Sequence, residues 1–206
     1  MCYSFEVSIS TFLIGLTFSI INLIKFKNPV YVCLSILWLV VIFMQLWETL
    51  LWKNYKCNLI SKIAMVNNLI QPLLLLLVLL IPNYIKKNDI NLPLIGLLIF
   101  IYLGYVSKYF KEDYGCIKEK DGIHLKWWDN FGGYLFIVVS ILLFKLILPN
   151  RIGNYQVLLF SLSLLIGNLF YKKNNKFSTH GRKGSIWCWA AAFIPLVNYF
   201  IFSKNI

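Results

Sequence analysis

The chain is 206 residues long, 59% hydrophobic and 14% charged, with a formal net charge of +12. Soluble domains carry about 25% charged residues, and here the apolar residues come in continuous runs rather than amphipathic stripes. That excludes an ordinary soluble domain, and no nucleic-acid partner is expected. The longest connection, Ser107–Asn130, is too short to bury a core of its own.

Apolar runs of about eighteen or more residues read as membrane-spanning helices. Seven such stretches predict an all-α, polytopic bundle forming one domain over residues 1–206. They are Phe5–Leu23, Pro29–Leu51, Ile63–Pro82, Leu92–Val106, Phe131–Leu148, Tyr155–Tyr171 and Ile186–Phe202. The first run has no basic residue before it and no small-residue cleavage site after it. It reads as a retained span rather than a cleaved signal. Its Ser8, Ser10, Thr11, Gly15, Thr17, Ser19 and Asn22 are small or hydrogen-bonding residues that suit close helix packing.

The second run holds Glu48, the one carboxylate placed inside such a run. Gln45 stands three residues before it and Trp52 four after, so the three share a helix face. Glu48 lies about 6 Å below the helix end at ~1.5 Å per residue. Protonating it at pH 7 costs roughly 3.7 kcal/mol from a reference pKa of ~4.3. Keeping it ionised at mid-bilayer costs about 2.5–3.5 kcal/mol, and less near the interface. The shallow depth favours a partly wetted, ionised group.

The third run enters as Asn67-Asn68-Leu69-Ile70-Gln71-Pro72. Its three amides lie close together on one helix. Pro72 is expected to free the Asn68 carbonyl, four residues back, and to kink the helix. The fourth run is the weakest, with Pro93 and Gly96 in its first turn and Tyr102, Gly104 and Tyr105 diluting it. The second span runs toward the side where the third begins, so Gln45, Glu48, Asn68 and Gln71 fall at similar depth. Asn168, near the end of the sixth span, and Trp187, at the start of the seventh, fall at the same end. So do Trp47, Trp52, Trp127, Trp128 and Trp189, six of the 7 tryptophans in all. An aromatic belt normally forms at both faces. The asymmetry predicts a polar, tryptophan-rimmed cavity around Glu48 that opens to one side, capped by the neutral loop Ser107–Asn130. Lys145 and Arg151 read as snorkelling anchors at the far face.

Thirteen of the 20 Lys and Arg residues lie in Lys53–Lys62, Lys108–Lys126 and Lys172–Lys183. The positive-inside rule then places that side and the N-terminus in the cytosol and the C-terminus outside. Glu6 on the leading flank of the first span, with Lys25 and Lys27 on its trailing flank, points the other way. Lys172–Lys183 enforces topology, with anionic lipid headgroups as its alternative partner at ~1 kcal/mol per basic residue.

Cys2, Cys57, Cys116 and Cys188 share the N-terminal side, while Cys33 lies alone at the far end. On an exported face this pattern suggests disulfides, with Cys57–Cys116 spanning the second and fourth loops; on a cytosolic face the thiols stay reduced. No CxxC or HxxxH spacing supports a metal site, and none is assigned. Walker spacing is absent, and the seventh span has no lysine before Lys204 for a retinal Schiff base, so no cofactor is assigned.

Several short motifs act together: Met1-Cys2-Tyr3-Ser4 with Val7-Ser8, Gln45 with Glu48 and Leu51-Trp52, Gln71-Pro72, and Ser185-x-Trp187-Cys188-Trp189. Across the whole chain they resemble a family of small multi-pass membrane proteins found chiefly in giant double-stranded DNA viruses. The resemblance implies a viral protein of a virion or host membrane, and no reaction or ligand. Such viruses often carry thiol oxidases, which makes cytosol-facing disulfides admissible.

Three function classes follow. One is a protein that binds or transports a small polar or cationic ligand, or a proton, at Gln45, Glu48, Trp52, Asn67, Asn68, Gln71, Asn168 and Trp187. A second is a structural or assembly protein in which these polar groups only fix helix register. The third, an intramembrane lipid-modifying enzyme, has the least support, because His124 and His180 lie in loops and no nucleophile–base set lies in a span. Transport is weakened by there being one proline-broken entry and no evident internal repeat.

Overall fold

The computed structural model describes residues 4–53, 55–108, 115–119, 122–125, 134–173 and 187–204; for 117–119, 122–125, 134, 168 and 170–173 it describes the backbone alone. Helix α1, Phe5–Lys25, starts where the Ser4 hydroxyl accepts from the Val7 amide at 3.2 Å. Helix α2, Pro29–Trp52, starts where the Asn28 side chain accepts from the Val30 amide at 2.9 Å, with Pro29 in the first turn. Both caps satisfy amides that a helix start leaves without a partner.

Helix α3, Cys57–Ile70, runs on as a ten-residue 3-10 helix, Gln71–Leu80. The third apolar helix therefore begins six residues before the expected Ile63, because its polar first turns are helical too. The switch at Gln71 follows from Pro72. The Gln71 amide bonds the Asn68 carbonyl, so that oxygen is not the one left over. In the 3-10 register the donor for the Leu69 carbonyl would be residue 72, and proline has no N–H. Tyr102 fills the gap, its hydroxyl donating to Leu69 O at 2.8 Å. The carbonyl freed by Pro72 is thus that of Leu69, not of Asn68.

Then come α4, Tyr84–Lys87, and α5, Leu92–Val106, capped by the Asn91 side chain. Strands β1, Cys116–Glu119, and β2, Gly122–Leu125, pair antiparallel with Cys116 opposite Leu125. This hairpin lies in a connection read from the sequence only as a solvated loop. It rests on the adjacent ends of α2 and α3. Helices α6, Tyr134–Ile147, and α7, Asn150–Lys173, follow. The last apolar stretch has two pieces, α8 over residues 187–191 and α9, Ile194–Ser203, separated by a turn at 192–193.

Three helices are long and apolar enough to cross a membrane: Phe5–Lys25, Pro29–Trp52 and Cys57–Leu80. Leu92–Val106, Leu135–Ile147 and Trp187–Ser203 are shorter apolar helices. Helix α2 is central, packing on α1, α3, the 3-10 helix and α9, while α6 packs on α5, α7 and the 3-10 helix. The polarity is inverted relative to a soluble protein. Gln45, Asn68 and Gln156 are fully buried, whereas Leu80 and Phe100 are each 77% exposed. In water an exposed apolar coat around buried amides is unstable; in lipid it is the favourable arrangement. The chain is an integral membrane protein.

Candidate functional site

The polar residues expected to gather at one level divide between two seams. In the first, between α1 and α2, Gln45 accepts from the Thr11 hydroxyl at 3.2 Å, and its backbone carbonyl accepts from the Thr49 hydroxyl at 2.7 Å. Glu48, 4% exposed, follows on the same face and lies within electrostatic reach of the Cys188 thiol of α8.

The second seam lies between α2, the 3-10 helix, α6, α7 and α8. Here a small cavity, about 10 Å³ as swept by the centre of a water-sized sphere, is lined by Trp38, Gln71, Pro72, Phe136, Phe160 and Trp187 among others. That is the scale of a single water molecule. Glu48 is not part of its lining, which corrects the expectation of a cavity built around that carboxylate. Glu48 lies seven residues, about 10 Å along α2, beyond the lining residue Val41.

Gln71 and Asn68 are the chemically unusual members. Gln71 is 2% exposed and Asn68 is fully buried, yet among the described residues neither amide oxygen nor amide nitrogen of either has a hydrogen-bond partner. An unsatisfied buried polar group costs about 1–3 kcal/mol, so four such atoms together call for an explanation. Asn67, next in sequence, is accounted for, since its amide donates to the Val40 carbonyl of α2 at 3.0 Å. Trp187 lies at the cavity, but its indole N–H donates to the Ser163 hydroxyl at 2.8 Å. Edge-to-face contacts hold its ring against Phe136 and Phe160, with centroids 5.6 and 5.5 Å apart. Trp52 is half-buried at the end of α2, away from the lining. Asn168 falls on α7, and its side chain lies outside the described residues.

A polar bridge that sequence reading missed crosses the same region. The Trp38 indole N–H donates to Gln156 Oε1 at 2.8 Å, and Gln156 Nε2 donates to Asn198 Oδ1 at 2.9 Å, tying α2 to α7 and α9. Gln156 and Asn198 each interrupt an apolar run, which was the available signal.

At the membrane ends, Cys57 and Cys116 form a disulfide that fastens β1 to the start of α3, their Cα atoms 6.1 Å apart. Cys33 and Cys188 are free thiols. Lys145 and Asn154 hydrogen-bond on the exposed surface at the opposite end. Cys2, His180 and most of Lys172–Lys183 lie outside the described residues. Comparison with protein-family models, curated proteins and solved structures gives no match to this chain.

Proposed function

We propose that the chain is a seven-span, multi-pass membrane protein that binds a small polar molecule in its core, beside Gln71. The spans are α1, α2, Cys57–Leu80, α5, α6, α7 and Trp187–Ser203, with the strongly basic end in the cytosol by the positive-inside rule. The short motifs that resemble a viral membrane family favour a virion or host membrane of such a virus.

The Gln71 amide carries this reading. It is almost fully buried, it lines a cavity, and both its polar atoms lack a partner among the described residues. A ligand offering one donor and one acceptor supplies what the fold withholds. The aromatic walls supply dispersion and, for a cation, ring-face attraction.

The test is thermal unfolding of the purified protein in detergent with ammonium, tetramethylammonium, glycerol or glucose. A bound solute raises the midpoint by mass action. Gln71→Met is expected to abolish that shift and to leave ligand-free stability equal or higher. If no solute shifts the midpoint and Gln71→Met is destabilising, the amide is a packing group and the reading fails.

The Trp38–Gln156–Asn198 bridge favours a second reading, a structural or assembly protein in which buried polar groups fix helix register.

A further inference from the structure

Pro195 follows Pro72 by 123 positions, and the same offset relates much of the helical framework. It carries the ten-residue 3-10 helix, Gln71–Leu80, end for end onto the ten-residue α9, Ile194–Ser203. It carries α2 to within two residues of α7 at both ends, each helix being 24 residues long. It carries the end of α1 at Lys25 to within one residue of the end of α6 at Ile147. The third span of each set changes at the equivalent place, from α to 3-10 at Gln71 in the first and through a turn at 192–193 in the second, with its second segment starting one residue before the proline.

Packing repeats as well. Helix α1 lies on α2 as α6 lies on α7, and α1 lies on α9 as α6 lies on the 3-10 helix. The first helix of each triad thus packs against the broken third span of the other. Gly15 of α1 makes one such approach, because a Cβ there would stand 2.9 Å from the Ala192 carbonyl beside the second break.

From this correspondence we infer that the chain is a carrier made of two parallel three-helix repeats, residues 5–80 and 134–203, joined by α5, and that the cavity between them is the path of a small neutral hydroxylated solute. The inference rests on the seven-span reading, which sets equivalent helices four spans apart, with three between them, and so sets both repeats in the same direction through the bilayer. Repeats related in this way, with discontinuous helices at their interface, form solute sites near the midplane. The cavity meets that description. Trp38, Gln71 and Pro72 come from the first repeat, and Phe136, Phe160 and Trp187 from the second.

Its chemistry selects the solute class. Among the described residues no charged side chain lines the cavity. The indole N–H groups of Trp38 and Trp187 are already bonded to Gln156 and Ser163. The Gln71 amide offers one acceptor and two donors, which matches hydroxyl groups, while the aromatic faces match the C–H surface of a polyol or sugar. At the size of one water the void is the closed form. Rocking of one repeat against the other opens it.

The test uses the full-length protein in sealed liposomes, with swelling in glycerol or glucose followed by light scattering. At the C-terminal end of α1, Lys25 Nζ donates to Ser203 Oγ of α9 at 3.2 Å, a contact between the repeats. In a Cys2→Ser, Cys33→Ser, Cys188→Ala background, Lys25→Cys with Ser203→Cys is bridged by a short, reducible bifunctional thiol reagent. The expected result is swelling faster than in protein-free liposomes for at least one solute, falling to the protein-free rate on bridging and recovering on reduction. Gln71→Leu is expected at the protein-free rate without bridging. Swelling at the protein-free rate in both solutes overturns the inference, and so does swelling that bridging leaves unchanged, which marks a fixed pore. Impermeant labelling of single Ser4→Cys and Ser203→Cys variants keeps the two readings apart. Labelling from the same side refutes the seven spans, whereas opposite sides without swelling refute only the carrier.

Discussion

The hydroxyl of Tyr102 on α5 donates to the carbonyl of Leu69 at 2.8 Å, the oxygen that Pro72 leaves without a backbone donor in the 3-10 register. Tyr102 is fully buried, so no water replaces it. Interhelical hydrogen bonds in membranes average only ~0.6 kcal/mol, because the partners find alternatives. Here the 3-10 register would draw the donor from position 72, and proline has none. Tyr102→Phe is therefore expected to cost about 1–3 kcal/mol, the range for a buried group left unsatisfied. Denaturant titration in mixed micelles measures it. The control is Pro72→Ala, which restores an amide at position 72. In that background Tyr102→Phe should cost measurably less, and equal costs in the two backgrounds would disprove the assignment.

The bridge through Gln156 makes a separate prediction. Gln156→Leu strands the Trp38 indole N–H and the Asn198 oxygen together, so a loss of about 1–3 kcal/mol is expected. Trp38→Phe removes one of those stranded groups. If the contact is real, Gln156→Leu should cost less in the Trp38→Phe background than alone, a coupling of about 0.5–3 kcal/mol. Strict additivity would show that the two side chains do not depend on each other.

Helix positions were largely readable because apolar runs report them directly. Asn91 and Pro93 mark the start of α5, which spans Leu92–Val106 as expected. The early start of α3 was hidden by Asn58 and Lys62, which interrupt the apolar run without interrupting the helix. The break at 192–193 was hidden because Ala191-Ala192-Phe193 contains no breaker, and Pro195 is also tolerated in a helix's first turn. Depth along each span placed Gln45, Glu48, Asn68 and Gln71 at one level, but rotation about each helix decides which of them meet. Rotation depends on packing partners that the sequence does not name. The two repeats escaped notice for a related reason. At the shared offset Gln71 corresponds to Ile194 and Glu48 to Tyr171, so the lengths of the middle helices and of the final segments persist with one proline while side chains do not.

Gly153 lies in the first turn of α7, beside the end of α6. A Cβ there would stand 2.7 Å from the Phe144 carbonyl oxygen. That atom is backbone, so it cannot swing aside as a side-chain end does. Gly153→Ala is expected to push α6 and α7 apart and to cost about 1–3 kcal/mol, as overpacking does. Gly96→Ala is the comparison, since nothing lies within 4 Å of its added methyl. It should be neutral or slightly stabilising, because alanine favours helix over glycine by about 1 kcal/mol. The same unfolding assay on both variants decides, and a harmless Gly153→Ala would show that the α6–α7 approach is looser than the structure has it.

Tyr84, in the short helix between the third and fourth apolar helices, donates to the Ile147 carbonyl at 2.7 Å. Burial, with a smaller effect from the nearby Cys33 thiol, pushes its phenol up to about 12 from an ordinary value of 10.0. The unfolded chain releases this proton near pH 10, whereas the folded chain holds it until about 12. Across that window the unfolded state binds fewer protons, so stability falls as pH rises. Below pH 10 both states are protonated and Tyr84 contributes no slope. Tyr84→Phe should lower stability at neutral pH through loss of the hydrogen bond, yet lose less stability than the wild type between pH 10 and 12. Paired unfolding curves at pH 8, 10 and 11.5 test this. Parallel declines in the two proteins would mean that the Tyr84 hydroxyl is already open to water.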